Sequence, residues 1–416
     1  MAVIKLVPGL FALLRMRNDR VSRINAAPAE RKPDPISEMA RAMHPEELRL
    51  VVRSVTQENE TARTYRLAAA APAEPPALPV FQPGQYISVK LSIDGIQTSR
   101  AYTIASAPAE AGGDSREAGG PDGGSGFYEI TVRRKPGGFA SGYIWENWKG
   151  GTEVIATGPH GDFHYSPLRD TPEIVALAGG TGITPFRSMM RQWAGEGEGP
   201  KLTLLYGCRD RSDELFSEEI AELCRKHPDR FRRINTYEKV NGDPGLRQGY
   251  LDAAFIGAHV DDPAAATFFV CGPTVMYGFL RGELARLGKL ERKQTRFEAC
   301  GAPDDVARTP GFPAEAKGRV VRATVRIGQK EQTIPAASTE SLLVSIERAG
   351  LILDSRCRSG ECGICRSRLV SGDVFILPDN DGRRAADKDL GYIHPCSTYP
   401  LTDLVVEIPP GKTAQT

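Results

Sequence analysis

Four cysteines near the C-terminal end constrain this chain more than any other feature. Cys357, Cys362 and Cys365 read Cys-x4-Cys-x2-Cys, and Cys396 follows after a long gap. That is the ligand spacing of a [2Fe–2S] cluster. The intervening residues include Gly360 and Gly363. A loop that wraps a cluster must aim backbone N–H groups at sulfur, and glycine tolerates the positive φ this demands. Zinc and disulfides are the competing readings. Zinc sites usually pair two short Cys hooks, which the four-residue gap and the distant Cys396 fit poorly. Disulfide frameworks suit small secreted scaffolds, and this chain has 416 residues. The C-terminal end is therefore expected to carry electrons one at a time. Cys208, Cys224, Cys271 and Cys300 share no spacing, and isolated cysteine is most often a small buried hydrophobe.

The length suggests about three domains. A net charge of +1 gives no electrostatic reason to expect a nucleic-acid partner. No run of eighteen apolar residues reads as a membrane span. Thiolate ligands and the lack of a secretion signal lead us to expect a cytoplasmic protein. The start of the chain is unusual. Val3, Ile4, Leu6, Val7, Leu10, Phe11, Leu13 and Leu14 form a short apolar segment broken by Pro8, and Arg15, Arg17, Arg20 and Arg23 follow it. A signal peptide carries its charge before the apolar stretch. Residues 1–24 read either as an arm packing on this protein or a partner, or as a peripheral membrane anchor. Residues 25–36 read as a linker.

From Leu48 the chain turns to short period-2 segments. They include 50–55, 64–67, 85–91, 127–132 and 153–156, with Pro83-Gly84 marking a turn. Many short strands argue for a β-barrel. The stretch between Ala107 and Gly126 is rich in Gly, Ala and Asp and reads as a flexible surface loop. At Glu173 the pattern changes. Apolar runs at 174–178, 202–206 and 267–270 alternate with helical segments, one after Pro185, one over 218–226 and one carrying Met276, Phe279, Leu280 and Leu284. That alternation predicts a doubly wound parallel sheet.

Several short motifs carry chemistry. Arg100 and Tyr102 fall on one face of a strand in Arg100-Ala101-Tyr102-Thr103. A cation there suits a phosphate, and an aromatic ring packs on a planar ring system. Gly137-Gly138-Phe139-Ala140-Ser141 opens a helix whose amides suit phosphate, with Arg133 on the strand before it. Gly179-Gly180-Thr181-Gly182 lies between a buried strand and a helix, the context a pyrophosphate loop requires. Cys271-Gly272-Pro273 ends the third strand of that region, where ligands bind in open sheets; a buried Cys before a tight turn is the equal alternative.

Together and in this order, the motifs resemble the ferredoxin–NADP⁺ reductase superfamily fused to a C-terminal plant-type [2Fe–2S] ferredoxin domain, the arrangement of reductases of oxygenases, of phenylacetyl-CoA epoxidase and of the hybrid-cluster protein. The resemblance runs from residue 48 to about 408. It implies a multidomain β + α/β + α+β fold, comprising a flavin-binding antiparallel β-barrel, a doubly wound parallel-sheet nucleotide domain and a β-grasp ferredoxin domain. The expected boundaries are an N-terminal arm and linker over 1–47, the FAD-binding barrel over 48–168, the NAD(P)-binding domain over 169–297, a linker over 298–318 and the ferredoxin domain over 319–416.

The resemblance also implies roles. Arg100 would hold the flavin pyrophosphate and Tyr102 the isoalloxazine, with Thr103 near N5. Arg133, Gly138 and Ser141 would serve phosphate, Gly179 to Gly182 the nicotinamide nucleotide, and Cys271, with Gly272 and Pro273, the region of nicotinamide C4. Thr103 and Cys271 are thus the catalytic candidates. FAD is expected rather than FMN, with NADH or NADPH as donor. In Tyr206-Gly207-Cys208-Arg209-Asp210, Arg209 or Arg211 would pair with a 2′-phosphate, whereas Asp213 or Glu214 would favour the free hydroxyl of NADH, toward which the reading leans. Phe297 would stack near flavin or nicotinamide. All six histidines read as structural or exposed.

The implied function is a relay from NAD(P)H through FAD and the cluster to a redox partner protein. Two other functions stay open, an electron-transfer subunit of a larger, membrane-associated complex and a self-sufficient reductase of a small acceptor. Arg356, Arg358, Arg366 and Arg368 crowd the cluster loop. They read as a solvated surface or as a docking patch for an acidic acceptor.

Overall fold

The computed structural model describes residues 15–18, 36, 40 and 45–409, except 71–77, 113–125, 198, 289, 300, 302, 304 and 379–380. The chain divides into two compact units, residues 1–43 and 44–416. Of the first, the described residues are exposed and include one helical turn at 15–18. The apolar segment at 3–14, Arg20, Arg23, Cys300 and most of the 25–36 linker lie outside the described residues. Among the described residues, no helix is long and apolar enough to cross a membrane.

The second unit begins with six antiparallel strands, β1 (Leu48–Gln57), β2 (Ala62–Ala69), β3 (Tyr86–Ile93), β4 (Ile96–Thr103), β5 (Phe127–Arg133) and β6 (Glu153–His160). Their order is β4-β3-β6-β1-β2-β5. The sheet curls until its two edges meet: Ile104, just past β4, bridges Ile130 of β5, and Ala105 N–H donates to the Glu129 carbonyl at 2.7 Å. Closure removes two edges that would otherwise carry unpaired amides. Inside lie Leu50, Val52, Leu67, Ile87, Val89, Ile130 and Val132. The stretch expected as a flexible loop starts as ordered structure. Pro108–Ala111 is a helical turn, Ala111 is buried, and Glu110 accepts from the Ala107 N–H and pairs with Arg191.

Five parallel strands follow, β7 (Glu173–Gly179), β8 (Lys201–Cys208), β9 (Phe231–Tyr237), β10 (Thr267–Gly272) and β11 (Thr295–Ala299), in the order β11-β10-β7-β8-β9. Helices Thr184–Glu196, Ser217–Lys226, Ala253–His259 and Val275–Arg286 connect them. Two apolar clusters, one around Phe186, Met189 and Leu204, the other around Leu177, Phe255 and Leu280, bury sheet and helices together. That two-sided cover is why β7, β8 and β10 read as continuous apolar runs.

The last part is a mixed sheet. Its strands are β12 (Val320–Ile327), β13 (Lys330–Ala337), β14 (Ser367–Ser371), β16 (Tyr392–Ile393) and β18 (Leu404–Ile408), ordered β13-β12-β18-β14-β16; β15 (Val374–Ile376) pairs with β17 (Thr398–Pro400). β12 and β18 run parallel, and the other pairs are antiparallel. The helix Leu342–Arg348 packs its Leu342, Leu343 and Ile346 into this sheet's core. The 298–318 segment is not bare linker: Val306, Phe312 and Ala316 bury themselves against Phe375, Leu377 and Tyr399.

Barrel and parallel sheet are joined by a buried ion network. Arg187 donates to Glu129 at 2.7 Å, to Glu219 at 2.8 Å and to the Ala105 carbonyl at 3.0 Å. Ser188 donates to the Ser106 carbonyl at 2.6 Å. Burial opposes the charge on Arg187, yet Glu129 and Glu219 hold its pKa above the usual arginine value.

Candidate functional site

The four predicted cluster cysteines come together. Cys357, Cys365 and Cys396 are buried and Cys362 is exposed. They fall into two pairs: Cys365 Sγ lies 3.4 Å from Cys396 Sγ, and the Cys362 N–H points at Cys357 Sγ from 3.4 Å, beside the Ser359 N–H at 3.5 Å. Contact with Cys362 pulls Cys357 below the usual thiol value, and contact with Cys396 does the same to Cys365, while Cys362 and Cys396 are pushed up. Among the described residues, no three His, Cys, Asp or Glu side chains are arranged for a single metal ion. Two thiol pairs with backbone N–H groups aimed at sulfur are the donor set a two-iron cluster takes.

His394, one of the six histidines expected to be structural or exposed, is structural: it is buried and holds this loop, with Nδ1 2.6 Å from the Gly360 carbonyl. Of the four arginines nearby, Arg368 is exposed and the others are partly or fully withdrawn. Arg358 is buried and forms a bidentate pair with Glu347. Arg366 pairs with Asp387 at 2.6 Å and lies over the Tyr392 ring, and Arg356 lines a cleft. The docking-patch expectation for Arg358 is corrected: a buried, paired guanidinium cannot greet a partner.

On the barrel, Arg100, Tyr102 and Thr103 lie opposite Val89, Ile87 and Tyr86 across the β3–β4 ladder. Tyr102 packs on the barrel core, and burial lifts its phenol to about 12. Arg100 donates to Thr98 Oγ1 and the Ser99 carbonyl, both at 2.6 Å. Burial first and neighbouring Arg358 second bring its pKa down to about 10. Glu347 is paired with Arg358, and Arg100 reaches that carboxylate only through Thr98, so the excess positive charge suits a phosphate.

Gly138 caps the helix Phe139–Asn147, and Ser141 Oγ accepts from the Lys135 N–H at 3.1 Å. Arg133 turns toward the nucleotide region. Its Nη1 pairs with Asp213 at 2.5 Å and donates to Thr61 at 3.1 Å. Its Nη2 is buried with no hydrogen-bond partner among the described residues, 3.6 Å from where a β-carbon on Gly180 would stand. A buried guanidinium nitrogen left open beside a glycine turn fits an incoming phosphate oxygen.

The turn after β7 is built by close backbone approach. A β-carbon on Gly182 would stand 2.6 Å from Gly272 N and nearer still to the Cys271 carbonyl; one on Gly272 would stand 2.7 Å from Met276 Sδ. Gly180 has φ +52°, and its carbonyl accepts from Tyr206 Oη at 3.0 Å. Thr181 accepts from Thr184 Oγ1 through its carbonyl at 3.0 Å. Cys271 is fully buried, with Pro273 just past the strand end. Across the β10–β11 ladder Cys271 lies beside Glu298, and Val270 beside Phe297.

The ribose candidates are not all free. Asp213 is buried and paired with both Arg133 and Arg209, and Glu214 accepts from Tyr237 Oη at 2.5 Å and Ser217 Oγ at 2.6 Å. Both carboxylates on which a preference for NADH would rest already hold protein partners, and one of those partners is Arg209 itself. Arg209 and Arg211 keep exposed side chains.

The three parts meet at a cleft of about 510 Å³. The barrel lines it with Tyr86 and His160, the nucleotide region with Arg296, Phe297 and Glu298, and the cluster loop with Arg356, Cys357, Glu361 and Cys362. Tyr86 is the residue sequence reasoning missed here. Burial, then Cys357 and Cys362, keep its phenol well above the usual value. Its only sequence signal is its place in the alternating 85–91 segment just after the Pro83-Gly84 turn.

The comparisons agree with this architecture. Residues 176–282 match the family model "Oxidoreductase NAD-binding domain", and 325–401 match "2Fe-2S iron-sulfur cluster binding domain". An NADPH oxidoreductase of Mycobacterium tuberculosis is 30% identical over 302 residues, 71% of this chain and 70% of that protein. The glycine betaine monooxygenase reductase subunit of Chromohalobacter salexigens is 29% identical over 367 residues, 85% of this chain and 93% of the relative. The solved structure of phthalate dioxygenase reductase shares the fold, with TM-score 0.62 and 22% identity over 87% of this chain and 98% of that one.

A barrel, a parallel nucleotide sheet and a four-thiol loop opening on one cleft define a modular electron-transfer flavoprotein. The chain belongs to the ferredoxin–NADP⁺ reductase superfamily, in the branch that carries a C-terminal plant-type [2Fe–2S] ferredoxin domain. It is an NAD(P)H-dependent oxidoreductase that uses flavin and a [2Fe–2S] cluster to pass electrons to an acceptor protein.

Proposed function

We propose that this reductase serves an oxygenase, taking electron pairs from NAD(P)H and releasing them singly through the cluster formed by Cys357, Cys362, Cys365 and Cys396. The observation that carries this is the shared cleft, where Tyr86 of the barrel, Phe297 and Glu298 of the nucleotide region and Cys357 of the cluster loop face one another. The monooxygenase reductase relative supports the choice of partner. When bound, the flavin supplies the exchange between two-electron and one-electron chemistry.

The chain's own residues bind, orient and exclude water. Arg100 and Arg133 neutralise phosphate, the first beside Thr98, the second through its open Nη2 at the Gly180 turn. Tyr102 gives one apolar wall for the ring, with Thr103 next to it. Gly179, Thr181 and Gly182 let the nucleotide come close to backbone, and Cys271, Gly272 and Pro273 set the strand end near the nicotinamide. With Asp213 and Glu214 committed elsewhere, Arg209 is the side chain we assign to sensing a 2′-phosphate. We keep the divisions near residues 168, 297 and 318 as the working domain boundaries, and FAD as the working flavin.

The test pairs purified, flavin- and cluster-loaded protein with candidate oxygenase components from the same organism. NAD(P)H oxidation coupled to oxygenase reduction supports the proposal. Free reduction of artificial acceptors with no electron reaching the oxygenase overturns the choice of partner.

A further inference from the structure

Resting on that relay, we propose that Glu347 and Arg358, acting together with Ser99 of β4, dock the cluster loop on the flavin strand, so that the cluster and the flavin are held in one fixed geometry. Arg358 directly follows the ligand Cys357 and has φ +55°, a conformation disfavoured for a residue with a β-carbon. Its guanidinium grips Glu347 with both arms, Nη1 to Oε1 at 2.5 Å and Nη2 to Oε2 at 3.0 Å. Both residues are buried. The same Glu347 Oε2 accepts from Thr98 Oγ1 of β4 at 3.1 Å, and Thr98 in turn accepts from Arg100.

Two further ties converge on the same loop. Ser99 Oγ bonds the Ser355 carbonyl at 3.0 Å and lies 2.8 Å from Ser355 Oγ, and Ser88 Oγ donates to the Arg356 carbonyl at 3.3 Å. Residues on both sides of Cys357 are therefore fastened to β3 and β4, and β4 carries Arg100, Tyr102 and Thr103. A buried ion pair is a poor source of stability, because desolvation consumes most of its attraction. Its value here is direction. The pair's geometry fixes where Cys357 stands relative to the ring-binding residues, and transfer of one electron, with no bond made or broken, depends on that separation. Glu347 and Arg358 are positioning residues.

The test is anaerobic stopped-flow reduction of the cluster-loaded, flavin-loaded full chain by NADH or NADPH, following flavin and cluster absorbance separately. Glu347→Gln keeps the shape and removes the charge. Ser99→Ala breaks a tie from the barrel side and leaves the ferredoxin sequence intact. Both variants are expected to slow cluster reduction several-fold, because electron transfer falls off exponentially with separation, while flavin reduction stays close to the parent rate. Hydrogen exchange at residues 355–358 is expected to rise in both. Cluster reduction at the parent rate in Ser99→Ala overturns the proposal, even if Glu347→Gln does not load a cluster. Unchanged exchange at 355–358 does so too. A parent protein whose flavin is not reduced by either nucleotide refutes the proposed function instead.

Discussion

Gly182 and Gly180 sit two residues apart in the nucleotide turn, and the structure assigns them opposite tolerances. A β-carbon at Gly182 would press on the backbone of Cys271 and Gly272, 2.6 Å from Gly272 N and nearer to the Cys271 carbonyl. Those atoms belong to a central strand and have no rotamer to change. Overpacking of this kind costs about 3 kcal/mol, the upper part of the usual range. If that strain falls on the closed turn, kcat/KM for the nucleotide drops by about two orders of magnitude, at roughly 1.4 kcal/mol per tenfold. At Gly180 the added carbon meets no backbone, and the nearest atom is Arg133 Nη2 at 3.6 Å. The penalty there is the left-handed backbone, about 1 kcal/mol, or roughly fivefold in rate. Steady-state reduction of an artificial acceptor by NADH and NADPH, with each alanine variant beside the parent, measures both. Gly182→Ala within threefold of the parent, or Gly180→Ala the more damaged of the two, would refute the reasoning.

Cys362→Ser is expected to abolish the cluster's long-wavelength absorbance while leaving flavin reduction by the nucleotide in place; visible spectra before and after nucleotide addition check this. Glu129→Gln removes one of the two carboxylates paired with Arg187 and is expected to cost about 1.5–3 kcal/mol, read as a lower urea midpoint at pH 7. The sign with pH follows from Glu129 itself. Burial alone would raise its pKa, but Arg187 and Arg191 outweigh it and hold the folded value below 4.5. The stabilisation is therefore complete above the unfolded value and lost as pH falls through the folded one, so parent and variant midpoints converge in acid. Arg209→Ala is expected to lower kcat/KM for NADPH relative to NADH, and an unchanged ratio removes Arg209 from nucleotide choice.

The clearest parts of the sequence were those where chemistry demands a local pattern. Cysteine spacing marked the cluster loop, and apolar runs marked β7, β8 and β10 because helices cover both faces of that sheet. β9 and β11 escaped notice for the converse reason. They are the edges of the sheet, and Phe231–Tyr237 carries Arg232, Arg233 and Asn235 where a buried strand would carry aliphatics. The site was legible as motifs and illegible as contacts. Nothing local in the sequence says that Arg358 turns inward to Glu347, that Asp213 is consumed by Arg133 and Arg209, or that Tyr86 stands against Cys357. Those facts arise from residues distant in the chain meeting across the barrel, the nucleotide sheet and the ferredoxin sheet. His394 was similarly hidden, because its value lies in one carbonyl, that of Gly360, on the far side of the loop.

The relay itself is tested most directly by anaerobic titration of the loaded full chain with NADH or NADPH, followed by absorbance and electron paramagnetic resonance. The account predicts bleaching of flavin and cluster together and an unpaired-electron signal from the reduced cluster. Flavin bleaching with a cluster that stays oxidised, or a protein that takes up neither chromophore, would contradict it.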